Sequence, residues 1–279
     1  MKSSKLYFSK NCDLSIIQNK SVGIIGYGNQ GRAQALNLID SKIKVLIGLR
    51  ESSNKIEELK NKKIPFEDIA SVVKKSDVIV ILVSDKIMEN VYYEFIHNNL
   101  RKHQTLIFSH GYNIHYNLIK PPEYVNVAMI APSGGGSVLR QKYKEGSGIP
   151  ALIAVENDYT GCTLELIKSY GLAVGSSRVC LFTSTFKEET ETDLFGEQVL
   201  LTGGIPYYIN KSLKVLLEAG YSPQVAWFVC YYEIKTIIDL FHEKGLNYLY
   251  EAISETAKYG GITRGEFLID QSIENKMKK

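Results

Sequence analysis

Cysteine is sparse in this chain and shows no pairing pattern. Cys12, Cys162, Cys180 and Cys230 are widely scattered, and none forms a CxxC pair. That spacing argues against a disulfide framework or a zinc site and for free thiols in a reducing compartment. Long apolar runs are missing too: no stretch reaches the roughly 18 residues of a membrane span. The start, Met1-Lys2-Ser3-Ser4-Lys5, lacks the apolar core of a signal peptide, so a cytoplasmic protein is expected. Nor is there an excess of one charge. The formal net charge is +3, without a basic block, so neither nucleic acid nor a membrane is an expected partner. What is there is 279 residues with 44% hydrophobic and 23% charged content. This is a soluble globular composition in a chain too long for one ordinary core, and two domains are expected.

The periodicity divides the chain in two. Continuous apolar runs at 22–25, 45–49, 78–83, 105–108, 125–130, 151–155 and 179–182 alternate with helical patterns at 32–40, 56–62, 68–75, 87–99 and 162–170. Runs of that kind are strands buried on both faces, and the alternation is a βαβ series, so the fold class is α/β with a doubly wound sheet. Beyond Lys187 only helical patterns continue, at 194–202, 206–219, 223–243 and 246–259. The expected domains are therefore 1–185, a dinucleotide-binding sheet domain, and 186–279, an all-helical domain. The second is so apolar, as in Val225-Ala226-Trp227-Phe228-Val229, that it is expected to bury surface against a second copy.

Gly26-Tyr27-Gly28-Asn29-Gln30-Gly31 follows the first strand and opens the first helix. This is G-x-G-x-x-G in its strand–turn–helix setting, where the glycines let the backbone approach a pyrophosphate at the helix N-terminus. The second strand runs into Arg50-Glu51-Ser52-Ser53-Asn54-Lys55. Arg50, Ser52, Ser53 and Lys55 are donors suited to a 2′-phosphate, which favours NADPH, although Glu51 could accept from an unphosphorylated ribose. Asp85 and Gly136 complete the expected cofactor-binding set.

A second feature is acidic. Glu188, Glu189, Glu191, Asp193 and Glu197 crowd one stretch, and Asp193 and Glu197 are four residues apart. On a helix they share a face, where like charges repel unless a divalent cation lies between them. The competing reading is a charged helix start, since acidic groups favour helix N-termini.

Taken together these segments resemble the short-form, class I ketol-acid reductoisomerases. The resemblance covers nearly the whole chain, through the glycine turn, Leu49-Arg50-Glu51, Ser109-His110-Gly111-Tyr112-Asn113-Ile114-His115, Pro150-Ala151-Leu152-Ile153-Ala154-Val155 and the stretch 185–198. It implies a Rossmann-type domain followed by a knotted helical domain. The implied activity is a magnesium-assisted alkyl shift in an acetohydroxy acid followed by reduction with NADPH, in branched-chain amino acid biosynthesis. It assigns Asp193 and Glu197 to Mg²⁺, adds Glu233 as a metal ligand from a partner helix, makes His110 a catalytic residue, and gives Ser254 to the substrate. A homodimer with shared sites, alone or within a larger oligomer, follows from it.

Two positions depart from the family pattern. Val229 stands where a further metal-binding glutamate is expected, and Ser133 replaces a lysine in the loop Ala131-Pro132-Ser133-Gly134-Gly135-Gly136. Alkyl migration needs strong polarisation of two oxygens, so these losses should fall on that step, leaving one Mg²⁺ or two. Reduction asks for a positioned nicotinamide and one acid. The expected function is an NADPH-dependent oxidoreductase acting on a small 2-oxo acid or a related imine, with isomerisation impaired or absent. An ordinary reductoisomerase and a non-catalytic nucleotide-sensing or assembly paralogue are the alternatives.

Overall fold

Apolar runs with no polar residue to spare for solvent become the central strands. Val78–Ile81 and Thr105–Phe108 are buried at every position. The structure, a computed structural model, describes residues 4–278. Its strands are β1 (Leu6–Tyr7), β2 (Ser21–Ile25), β3 (Lys44–Leu49), β4 (Phe66–Asp68), β5 (Val78–Ile81), β6 (Thr105–Phe108), β7 (Asn126–Pro132), β8 (Ala151–Asn157) and β9 (Leu181–Thr183). They form one sheet in the order β1-β9-β8-β7-β6-β5-β2-β3-β4.

From β4 through β7 every pairing is parallel, which is the doubly wound order with its switch point between β2 and β5. The sheet is mixed beyond β7: β8 runs antiparallel to β7, and β1 runs antiparallel to β9. β1 and β4 do not stand out in the sequence. They are edge strands of two and three residues whose pairing is imposed by β9 and β3.

Side chains alternate between the two faces of the sheet. Val22, Ile24 and Ile107 pack into one core with Leu38, Leu166 and Tyr170. Ile25, Leu106 and Phe108 pack into the other with Val72, Tyr92 and Phe186. Successive residues thus serve opposite cores, which explains why the strands read as unbroken apolar runs.

Two compact units divide between Thr192 and Asp193. The second is helical: Gly204–Glu218, Pro223–Trp227, Glu233–Lys244, Leu246–Ala252, Glu255–Leu268 and Gln271–Met277. The helix expected over 223–243 is interrupted by a wider π turn at Phe228–Tyr232. The one expected over 246–259 stops at Ala252, because Ser254 caps a new helix by accepting from Ala257 N at 3.2 Å. The acidic stretch is helical from Phe186 to Phe195 and then widens into a π turn at Gly196–Leu201. Among the described residues of this unit only Ala226 and Leu249 are buried apolar side chains, while Tyr207, Leu201, Trp227 and Phe267 are all more than half exposed.

Candidate cofactor cleft and acidic cluster

The cleft lies at the carboxyl ends of the parallel strands, where the chain leaves β2 and β5 in opposite directions. Gly26 has a φ of 97°, a left-handed conformation that turns β2 sharply into the helix Asn29–Asp40. Gly136 opens the helix Gly136–Lys144, and a Cβ there would stand 2.2 Å from the carbonyl oxygen of Asn29. Only glycine allows that approach, and Gln30 Nε2 ties the same loop down by donating to Gly134 O at 2.9 Å.

A cavity of about 390 Å³ is lined by Gly26, Tyr27 and Gly28 on one side and by Arg50, Ser52, Ser53 and Lys55 on the other. Glu51 does not line it; it faces the adjoining cleft with Asp68 and Phe95. The Ser53 hydroxyl oxygen accepts from Lys55 N at 3.3 Å, so its O–H is oriented away from that bond. The donor set, cationic and without a carboxylate, fits an adenosine 2′-phosphate. Tyr27 turns its ring into the core and is 2% exposed, so it has only backbone to offer there.

The cleft continues through Gly28, Leu82, Val83 and Ser84 into a second cavity of about 400 Å³ lined by Asn29, Gln30, Asp85, Ser109 and His110. Asp85 is the first residue of the helix Asp85–Val91 after β5, and His110 lies two residues beyond β6. Ser133 follows β7 at the same end of the sheet, exposed, with its N–H bonded to Pro150 O at 2.9 Å.

A residue that sequence reading left without a role stands behind His110. Glu189 is 3% exposed. Its Oε1 accepts from His110 Nδ1 at 2.9 Å and its Oε2 from Gly111 N at 2.7 Å. An ionised carboxylate only accepts, so this contact places the proton on Nδ1 and fixes the ring. The signal was present in outline: Glu189 precedes Asp193 by one turn of the helix Phe186–Phe195, so both lie on one face of it. His110, Glu189 and Asp193 each offer a ligand atom, and these atoms lie within 4.8 Å of one another. His110 Nδ1 and both Glu189 oxygens are already committed to hydrogen bonds, so the pair is accounted for as a held imidazole. Among the described residues Glu197 and Glu233 join no cluster of three or more such donors. Both are exposed; Glu197 falls in the π turn, and Glu233 heads its helix. Val229 lies in the π turn before Glu233 and is 48% exposed. Ser254 is exposed, and its hydroxyl oxygen serves as a helix cap.

A switch-point cleft with a glycine cradle, a cationic end and a histidine held by a buried carboxylate is that of a dinucleotide-dependent oxidoreductase. Comparison with known proteins narrows the class. Residues 16–180 match the family model "Acetohydroxy acid isomeroreductase, NADPH-binding domain", and residues 186–279 match "Ketol-acid reductoisomerase, C-terminal domain". The ketol-acid reductoisomerase (NADP(+)) of Methanopyrus kandleri is 46% identical over 274 residues, covering 98% of this chain and 84% of that protein. That of Sulfurisphaera tokodaii is 44% identical over 276 residues, covering 99% and 83%. The solved structure of an NADH-preferring ketol-acid reductoisomerase from an uncultured archean superposes with a TM-score of 0.93 at 36% identity, covering 98% of this chain and 84% of that one. The chain belongs to the ketol-acid reductoisomerase family. Among its described residues no helix is long and apolar enough to cross a membrane.

Proposed function

We propose that this chain is an NADPH-dependent reductase on the ketol-acid reductoisomerase scaffold, acting on a small 2-oxo acid or a related imine, with a weakened isomerising step. What supports this reading is the contrast between a cleft lined by the glycine turn with Arg50, Ser52, Ser53 and Lys55 and two positions, Val229 and Ser133, that depart from the pattern the family resemblance implies. Bound NADPH supplies the hydride. Arg50, Ser52, Ser53 and Lys55 hold its 2′-phosphate, and the backbone around Gly26, Gly28 and Gly31 takes its pyrophosphate. His110, oriented by Glu189, delivers or removes the proton on the substrate oxygen. Asp193 and Glu197 would hold Mg²⁺, with Glu233 contributed by a second copy, and Ser254 would bind substrate. An ion bound there would polarise the substrate carbonyl. A valine side chain cannot ligate, so the set supports one ion better than two, and no ammonium stands at Ser133 to balance charge on the migrating system.

The helical unit supports a homodimer. Among the described residues of that unit two buried apolar side chains are too few to form a core, and the exposed aromatic and aliphatic groups call for a partner surface. The cellular site is cytoplasmic, in keeping with the unpaired thiols.

An ordinary ketol-acid reductoisomerase is the second reading, and it has its own support. Identity of 46% over 98% of the chain to a protein of that name leaves room for water to replace the missing ligand. Turnover of acetolactate, which needs both steps, and of 3-hydroxy-3-methyl-2-oxobutyrate, which needs only reduction, separates the two. The proposal expects the second substrate to react and the first to lag far behind. Equal rates support the ordinary enzyme, and no turnover of either points to a non-catalytic paralogue.

A further inference from the structure

The short helix Tyr112–His115 follows His110 almost directly, and Asn113 within it is 1% exposed. Asn113 Nδ2 donates to Asp85 Oδ1 at 3.2 Å and reaches Met88 Sδ at 3.5 Å, both on the helix Asp85–Val91. Asn113 Oδ1 is buried and has no hydrogen-bond partner among the described residues. Chemistry fixes this orientation, because an ionised carboxylate only accepts and the amide must turn its nitrogen toward it. A buried acceptor without a partner is unfavourable, and an apolar side chain of similar size would avoid it. The amide is therefore explained by what its nitrogen does, which is to join the loop after β5 to the loop after β6. Asp85 in turn lines the part of the cleft shared with Ser109 and His110, which Arg50 and Lys55 do not line.

We propose that Asn113 is a positioning residue. It fixes the Asp85 carboxylate so that this group accepts an N–H from the carboxamide of a nicotinamide ring and sets the ring's orientation beside His110. The inference rests on the reading of the cleft as an NADPH site. It is tested by calorimetric binding of two ligands to the full chain: NADPH, and 2′-phospho-ADP-ribose, which has the same phosphate end and no nicotinamide. Asn113→Leu should weaken NADPH about tenfold, the scale of one hydrogen bond to a charged group, and leave 2′-phospho-ADP-ribose unchanged. Equal weakening of both ligands would mark a merely structural role, and unchanged NADPH binding would refute any role. If the unaltered protein binds neither ligand, the cofactor reading itself fails and this assignment with it. Asn113→Ala in a cycle with Asp85→Ala gives a second measurement should Asn113→Leu not fold. The double variant should bind NADPH no more weakly than Asp85→Ala alone, and additive losses would show that Asn113 does not act through Asp85.

Discussion

Replacing Glu189 by glutamine changes one atom in size and much in chemistry. The native carboxylate is 3% exposed and takes two hydrogen bonds, from His110 Nδ1 at 2.9 Å and Gly111 N at 2.7 Å. Glutamine keeps an oxygen for Gly111 but turns an NH₂ toward His110, so the ring must move its proton from Nδ1 to Nε2 or break the contact. A hydrogen bond to a charged group is worth about 1.5–3 kcal/mol, and that is the expected loss of unfolding free energy in Glu189→Gln. Glu189→Ala, which also strands the buried Gly111 N–H, should lose about 3–5 kcal/mol. Function should suffer more than stability, because a positioned proton donor contributes about 10²–10⁴ in rate. Glu189→Gln should therefore lower kcat for reduction of 3-hydroxy-3-methyl-2-oxobutyrate by about 10² or more, with the KM for NADPH unchanged. Urea denaturation and steady-state assays on the same preparation read both effects. A folded Glu189→Gln enzyme within about threefold of the native kcat would refute the orienting role.

Arg50→Gln should raise the Kd for NADPH about tenfold to a hundredfold while changing NADH little, since only the 2′-phosphate uses the guanidinium; equal effects on both cofactors would return the choice to Glu51. For Asp77, burial opposes ionisation, yet hydrogen bonds from Ser21 N at 2.9 Å and Ser21 Oγ at 2.8 Å outweigh it and hold the carboxyl below its ordinary range. A depressed folded pKa gives stability that is present above about pH 4 and lost as the pH falls through the folded value. Asp77→Asn should accordingly flatten the acid limb of unfolding free energy against pH, and an unchanged slope would contradict the assignment. Co-expressing an Asp193→Ala chain with a Glu233→Ala chain should restore part of the activity in mixed dimers. Demonstrated mixed dimers without activity would mean that each site is built from one chain.

How much was legible in the sequence depends on how local the signal is. The cradle could be read because glycine at Gly26 and Gly136 answers to backbone geometry, a positive φ and a 2.2 Å approach. The central strands could be read because burial on both faces leaves no polar position. β4 could not, since Phe66-Glu67-Asp68 is a strand only because Pro65 and Phe66 lie against Ile47 of β3. Glu189 was hidden among its acidic neighbours; its difference from Glu188 and Glu191 lies in packing against Gly111, which no periodicity records. The π turn at Phe228–Tyr232 was equally hidden, because Phe228-Val229-Cys230-Tyr231-Tyr232 is apolar or aromatic throughout and offers no polar position to mark the shift in register. Ser254 shows the reverse case: a family motif fits the position, while its hydroxyl oxygen caps a helix.

The proposed effect of Val229 and Ser133 is to separate reduction from isomerisation. It is tested most directly by the ratio of acetolactate turnover to 3-hydroxy-3-methyl-2-oxobutyrate turnover, measured with NADPH and Mg²⁺ for the unaltered chain and for Val229→Glu with Ser133→Lys. A low ratio is expected in the unaltered protein and a rise of about 10²-fold in the double variant, the scale of one preorganised contact to developing charge. A ratio near one in the unaltered protein would contradict it and leave an ordinary ketol-acid reductoisomerase.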